Sequence, residues 1–171
     1  MGGVVLYAGG SLLAASLGSM NWRAWIAGQC AITSTQLMTH YANDYFDVEA
    51  DRFNRLSTRW SGGSRVLVDG PLSPRVARDA AIVLLLLALA IDAGILFGVL
   101  GASGGRSTSA GAMLLLALAL SWSYSGPPLR LHARGFGAIA AAIVVGGLTP
   151  LIGFAMQGGD VTTIHAAACV A

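Results

Sequence analysis

Long apolar segments dominate this 171-residue chain and limit the folds that it can adopt. A helix needs about 20 mostly apolar residues to span the hydrocarbon core of a bilayer. Only 11% of the residues are charged, whereas a soluble domain has about a quarter. Apolar segments occupy residues 4–18, 22–45, 77–100, 107–124 and 135–156, and a sixth begins at residue 161. The sequence therefore predicts an all-α fold, a polytopic transmembrane bundle of about five helices plus the start of a sixth.

The arginine residues indicate how the predicted spans are oriented. The chain has ten basic residues, and all of them are arginine. Those between spans two and three or at the ends of these spans, and those between spans four and five, are Arg52, Arg55, Arg59, Arg65, Arg75, Arg78, Arg130 and Arg134. Because two spans separate these connections, both lie on the same side of the membrane. The positive-inside rule predicts that this side is cytoplasmic, in a multi-pass protein of the inner (plasma) membrane.

The acidic stretch NDYFDVEAD, residues 43–51, ends the second predicted span on that side. At about 100° per residue, a continuous helix places Asp44, Asp47, Asp51 and His40 on one arc, with Glu49 opposite. Like charges at this spacing repel each other, so a compensating cation is expected. Mg²⁺ takes carboxylate oxygens and shares its shell with substrate phosphates, and the arginines that follow are suited to phosphate. The alternative is that the acids pair with those arginines along a solvated helix end.

Three motifs resemble those of the UbiA superfamily of intramembrane aromatic prenyltransferases. Residues 43–51 match the family's first acidic motif, NDxxDxxxD, at every defined position. Residues 61–75, SGGSRVLVDGPLSPR, are similar to the family loop RPLxxGxLSxR, with Val66 in place of the usual proline. Residues 124–131, YSGPPLRL, resemble the stretch between the fourth and fifth helices. That form is most similar to the 1,4-dihydroxy-2-naphthoate prenyltransferases of the menaquinone branch, and the chlorophyll- and tocopherol-type branches share a similar YSxPPLRL.

The resemblance implies Mg²⁺-dependent transfer of a polyprenyl group from polyprenyl diphosphate to an aromatic acceptor. It implies a dihydroxynaphthoate-like acceptor in menaquinone biosynthesis, a lipid bilayer around the protein, and no nucleic-acid partner. Carried over residue by residue, it makes Asp44, Asp47 and Asp51 the catalytic and metal-binding residues. The implied substrate-binding residues are Asn43, Arg65, Tyr124 and Arg130, with Arg65 on the diphosphate.

Several of these residues also have simpler interpretations. Tyr124 could be an interfacial aromatic residue, and Arg130 could serve only to set the topology. His40 could orient a carboxylate or the aromatic acceptor, or it could hydrogen-bond to a neighbouring helix. Asp92 lies deep in the third predicted span, where a carboxylate is costly and is a functional candidate, but no family motif matches it.

The family has about nine helices and a second acidic motif after the sixth, and this chain ends before that point. Residues 1–171 are therefore expected to be a partial UbiA-like domain that lacks the C-terminal half, from a fragment or a truncated gene product. Such a chain could be inactive alone or a non-catalytic remnant. A transporter with Asp92 and His40 as relay groups is a further alternative, but most of the acids gather at one mouth of the bundle. The signature of phospholipid alcohol phosphotransferases is absent from the sequence.

Overall fold

The computed structural model describes residues 2–53, 66–70, 72–100 and 106–162. The helices are α1 (Gly2–Ala15), α2 (Trp22–Phe46), α3 (Val48–Phe53), α4 (Val66–Asp69), α5 (Pro74–Leu96), α6 (Arg106–Ser125), α7 (Gly137–Ala141) and α8 (Thr149–Met156). A π-helical segment, Ala142–Leu148, joins α7 to α8. All regular secondary structure in the described ranges is helical, which confirms the predicted all-α class.

Three stretches of the described chain are long and apolar enough to cross a membrane: Pro74–Leu96, Thr108–Ser125 and Gly137–Met156. α1 is apolar but shorter. α2 has 25 residues and reaches about 37 Å at the helical rise per residue, but polar side chains along one face keep it out of this apolar set. Val161 and Thr162 form a turn, and the remainder of the predicted sixth segment lies outside the described residues.

Local capping signals start the two longest helices. The backbone N–H of Ala24 donates to the Asn21 side-chain oxygen at 3.1 Å, which caps α2. The backbone N–H of Arg75 donates to Ser73 Oγ at 3.3 Å, and Pro74 opens α5. Asparagine and serine satisfy N–H groups that have no partner within the helix, and proline is tolerated at the first helical position. These signals fix where α2 and α5 begin.

Small residues allow α2 to pack closely at the centre of the bundle. α2 lies along α5 and also contacts α6 and α8. The buried face of α5 carries Ala77, Ala81 and Ala88, and the last two pack in one cluster with Met38 and Ala42 of α2. Inside a membrane, small side chains let helix backbones approach each other and gain van der Waals contact. The backbones of α2 and α5 therefore pack closely against each other.

Asp92 lies on the same small-residue face of α5. It is fully buried, and neither of its carboxylate oxygens has a hydrogen-bond partner among the described residues. Asp92 does not line the cavity that lies between α2, α6 and the region from α7 to α8. Its position gives it no direct contact with that cavity, and a functional role for Asp92 stays a hypothesis.

α1 is held against α8 by two backbone-to-backbone approaches. A Cβ atom on Gly10 would collide with the Pro150 carbonyl, and one on Gly153 would collide with the Tyr7 carbonyl. Ser11 Oγ donates to the Tyr7 carbonyl at 2.9 Å and lies 3.2 Å from the Gly153 carbonyl oxygen. Only glycine fits at both contacts without moving one helix away from the other.

This contact gives a stability prediction with a matched control one residue away. Gly10→Ala is expected to lower the free energy of unfolding by about 1–3 kcal/mol, because the new methyl group forces α1 away from α8. Gly9 has nothing within 4 Å of an added Cβ, so Gly9→Ala is expected to be neutral or stabilising through helix propensity. Thermal unfolding midpoints in detergent measure the difference. Equal midpoints for the two variants would contradict the close contact.

Candidate active site

The acidic stretch lies where α2 ends and α3 begins. α2 ends at Phe46, and Asp47 adopts φ −100° and ψ 1°, away from helical values. The Asp47 N–H donates to the Asn43 carbonyl at 2.9 Å, and the Asp51 N–H donates to the Asp47 carbonyl at 2.9 Å. The predicted arc assumed one continuous helix through Asp51. That assumption fails at Asp47, whose dihedral angles interrupt the helix for one residue although both hydrogen bonds span four residues, so Asp44 belongs to α2 and Asp51 to α3.

Asn43 joins this acidic helix end to α6. Its side-chain nitrogen donates to Asp47 Oδ2 at 2.5 Å and to Ser125 Oγ at 2.9 Å. Ser125 is 3% exposed and is the last residue of α6. Asn43 therefore fixes the Asp47 carboxylate and holds the ends of two helices together.

The donor chemistry of this helix end is compatible with magnesium. Among the described residues, no group of three histidine, cysteine or acidic side chains is close enough to hold a metal ion. Mg²⁺ usually takes one or two carboxylates and completes its shell with water and substrate phosphates. Asp44 and Asp47 can supply such carboxylates, and the predicted metal set of Asp44, Asp47 and Asp51 stays a prediction. Arg65, the predicted diphosphate contact, lies outside the described residues.

A cavity of about 340 Å³ lies between α2, α6 and the region from α7 to α8. Its polar lining residues are Thr35, Gln36, Thr39, His40, Asn43, Ser121, Tyr124 and Thr149. Its apolar lining residues are Ile32, Ala117, Leu120, Ala140, Ala141, Val144 and Val145. None of these described lining residues carries a carboxylate or a guanidinium group. The cavity has a hydrogen-bonding edge along α2 and an apolar wall opposite.

The π-helical segment forms much of that apolar wall. Thr149 Oγ1 donates to the Val144 carbonyl at 2.8 Å, five residues back, and the Thr149 N–H donates to the same carbonyl. π-helical turns are rare and occur frequently at functional sites. In this chain the segment brings Val144 and Val145 to the cavity.

The turn after α6 folds back onto Tyr124. The Leu131 N–H donates to the Ser123 carbonyl and the His132 N–H to the Tyr124 carbonyl, each at 2.9 Å. The rings of Tyr124 and His132 are stacked, with centroids 5.3 Å apart and planes 21° apart. The backbone of Arg130 has a φ of 45°, in the left-handed region, where the turn reverses direction.

The structure brings together only some of the residues predicted from the sequence. Asn43 and Tyr124 line the cavity, and Asp47 is bonded to Asn43. His40 also lines the cavity. Arg130 is exposed and is not among the lining residues.

Sequence reasoning missed several polar residues of the cavity. They are Thr35, Gln36, Thr39, Ser121 and Thr149. For α2, the sequence did contain a pattern that could have identified them. Residues 35, 36, 39, 40 and 43 are polar and share one face of a helix at about 100° per residue. A polar face on a long, otherwise apolar helix indicates a cavity inside the bundle.

Together, the helical bundle and its three membrane-length stretches are those of a membrane protein, and a cavity lies beside the acidic helix end. The chain belongs to the UbiA prenyltransferase family, whose family model matches residues 4–171. Comparison with curated proteins and with solved structures gives no match. Family membership supports prenyltransferase activity in general.

Proposed function

We propose that the protein transfers a polyprenyl group from polyprenyl diphosphate to 1,4-dihydroxy-2-naphthoate, with Mg²⁺ as cofactor, in menaquinone biosynthesis. The observation that carries this proposal is the position of Asn43. One side chain lines a cavity whose described lining has no carboxylate or guanidinium group, and it also bonds the Asp47 carboxylate at the acidic helix end. A substrate with a diphosphate head and a reactive allylic carbon would place these two parts on either side of Asn43.

The acidic helix end would bind the diphosphate head. Asp44 and Asp47 would hold Mg²⁺, with Asp51 close along the chain, and Arg65 would add a guanidinium contact to the phosphate. The bound metal supplies positive charge that stabilises the leaving diphosphate. Asn43 would keep the Asp47 carboxylate in place, since a fixed group need not reorganise when charge develops.

The cavity would hold the aromatic acceptor and the allylic carbon that it attacks. The described lining carries no carboxylate that could compete with the acceptor for an allylic cation. Val144, Val145 and Leu120 would exclude water from that cation. The hydroxyl and amide groups of Thr35, Gln36 and Thr39 offer hydrogen bonds to the hydroxyl groups of the acceptor.

The size of the cavity favours a small acceptor. Ligand pockets range from about 300 to 1,000 Å³, so a cavity of about 340 Å³ is at the small end. It suits one or two fused rings and leaves no room for a long isoprenoid tail as well. Val145 and Ile143 are 37% and 46% exposed, so the apolar wall continues to the outer surface, where a tail could run towards lipid.

We also propose that the acidic end faces the cytoplasm in the inner membrane. The Asn43–Ser125 hydrogen bond brings the ends of α2 and α6 together. The turn with Arg130 and Arg134 follows α6, so it shares a membrane side with the acidic stretch. The described ends of both arginine-rich connections would then share one membrane side, as the positive-inside rule requires of a cytoplasmic face.

Transfer of a radiolabelled prenyl group tests the proposed function. The full-length protein is reconstituted in lipid nanodiscs. It is incubated with geranylgeranyl diphosphate and one of three acceptors: 1,4-dihydroxy-2-naphthoate, 4-hydroxybenzoate or homogentisate. We expect a prenylated product with the naphthoate and its loss on adding EDTA. A product with 4-hydroxybenzoate or homogentisate, and none with the naphthoate, would overturn the menaquinone assignment. No product with any acceptor would overturn the proposed activity.

A further inference from the structure

His132 covers one face of a ring that reaches the cavity. Tyr124 lines the cavity, whereas His132 is exposed and is not a lining residue. The two rings are stacked 5.3 Å apart and nearly parallel, at 21°. The stack therefore runs from the protein surface inwards, with Tyr124 as its inner member.

Backbone hydrogen bonds hold His132 in this position. The His132 N–H donates to the carbonyl of Tyr124 itself, at 2.9 Å, and the neighbouring Leu131 N–H donates to the Ser123 carbonyl at the same distance. These bonds give two carbonyl groups in the last turn of α6 partners in the turn that follows the helix. The imidazole ring is thereby placed over the phenol ring by the turn and not only by ring attraction.

Gly137 closes the arrangement from the third side. A Cβ atom there would lie 3.2 Å from Tyr124 Cε2 and 3.1 Å from His132 Cα, both tight contacts. Gly137 is also the first residue of α7, whose Ala140 and Ala141 line the cavity. The absence of a side chain at residue 137 lets the Tyr124 ring, the His132 turn and the cavity wall approach each other.

We infer that His132 is a positioning residue that holds Tyr124 as a flat platform on which the aromatic acceptor stacks. Aromatic rings attract each other in offset-stacked geometry, with centroids about 4.5 to 7 Å apart. A ring already fixed on one face loses little freedom when a second ring binds to it. The ligand class is a planar aromatic ring or fused ring pair. This inference rests on the proposed function for the identity of the acceptor, but the platform itself is a binding feature.

Equilibrium binding tests the platform separately from turnover. 1,4-Dihydroxy-2-naphthoate is titrated into the protein in nanodiscs, without prenyl diphosphate, and the Kd is measured for each variant. His132→Ala removes the stacked ring and is expected to raise this Kd by about 3- to 10-fold, because the unsupported Tyr124 ring must then be immobilised when the acceptor binds. His132→Phe keeps a flat ring in place and is expected to restore binding to within about 2-fold of the natural protein.

Two controls separate stacking from general damage to the turn. Leu129→Ala alters an exposed residue of the same turn and is expected to leave the Kd unchanged. The KM for geranylgeranyl diphosphate is expected to stay constant in all three variants, while the KM for the acceptor follows its Kd. An unchanged Kd in His132→Ala would overturn the inference. So would a Kd in His132→Phe as high as in His132→Ala, because the imidazole nitrogens would then be responsible.

The outcomes for the inference and for the proposed function are distinguishable. If the natural protein binds the naphthoate and the His132 series behaves as described but no product forms, the platform stands and the proposed reaction fails. If product forms with all variants at the same acceptor KM, the reaction stands and the platform fails. Absence of naphthoate binding by the natural protein would overturn the platform.

Discussion

Asp44→Asn is expected to lower the rate of prenyl transfer by about 10³-fold, the loss typical of removing one group that stabilises transition-state charge. The substitution keeps the shape of the side chain and removes only its negative charge. The magnesium concentration that gives half-maximal rate is expected to rise as well, because one carboxylate ligand becomes a neutral amide. Initial rates measured over a magnesium titration, with saturating substrates, provide both values.

Glu49→Gln is the matched control for the loss of charge. Glu49 belongs to the same acidic stretch but is exposed, on α3. Removing its charge is expected to change the rate by less than about 2-fold, in keeping with the small energies of exposed charges. A normal rate and an unchanged magnesium dependence in Asp44→Asn would remove Asp44 from the metal site. An equal loss in both variants would show that net charge, not a specific ligand, matters.

Asn43→Asp is expected to lower the rate by about 10²-fold while preserving the fold. The change replaces the amide that donates to Asp47 and Ser125 with a carboxylate that cannot donate when ionised. A second negative charge then lies against Asp47, and like charges at such a distance disfavour each other's ionised form. We expect the rate to recover in part at high magnesium concentration, because added cation offsets this repulsion.

Ser125→Ala separates the two hydrogen bonds of Asn43. It removes only the bond that ties α2 to α6, which is worth about 0.5–1.5 kcal/mol, and leaves the Asn43–Asp47 bond in place. A loss of rate of about 10-fold or less is therefore expected. If Ser125→Ala is as damaging as Asn43→Asp, the contact between helices carries the effect and the Asp47 contact does not. Circular dichroism and thermal unfolding of both variants check that the bundle remains folded.

Hydropathy located the apolar helices because their exposed faces are as apolar as their packed faces. The predicted third span, residues 77–100, corresponds to α5 but is displaced towards the C-terminus. Pro74 and its Ser73 cap start the helix earlier than hydropathy indicates. Gly98, with a φ of 73°, lies just beyond the end of the helix in a left-handed turn. Capping and backbone chirality set these ends, and a hydropathy average detects neither.

The site was harder to predict because its parts come from helices that are distant in sequence. The motif around Asn43 was evident, but its bond to Ser125, 82 residues away, depends on how α2 and α6 pack. The predicted fifth span, residues 135–156, is interrupted by a π-helical segment. The hydrogen-bond register in such a segment depends on the neighbouring helices, which an apolar sequence pattern does not reveal. The stack of His132 on Tyr124 likewise requires the reversal of the chain at Arg130.

The π-helical segment also affects how the cavity can change during evolution. A π-helical turn contains one residue more than the α-helical turn that it replaces. Deleting a single codon there would restore an α-helix and rotate α7 by about 100° relative to α8. The contacts of Gly10 and Gly153 that anchor α8 to α1 would remain, while Ala140 and Ala141 would be exchanged for neighbouring side chains. Deleting one codon in this segment would therefore replace several residues of the cavity wall at once. The packing of α8 against α1 would stay unchanged.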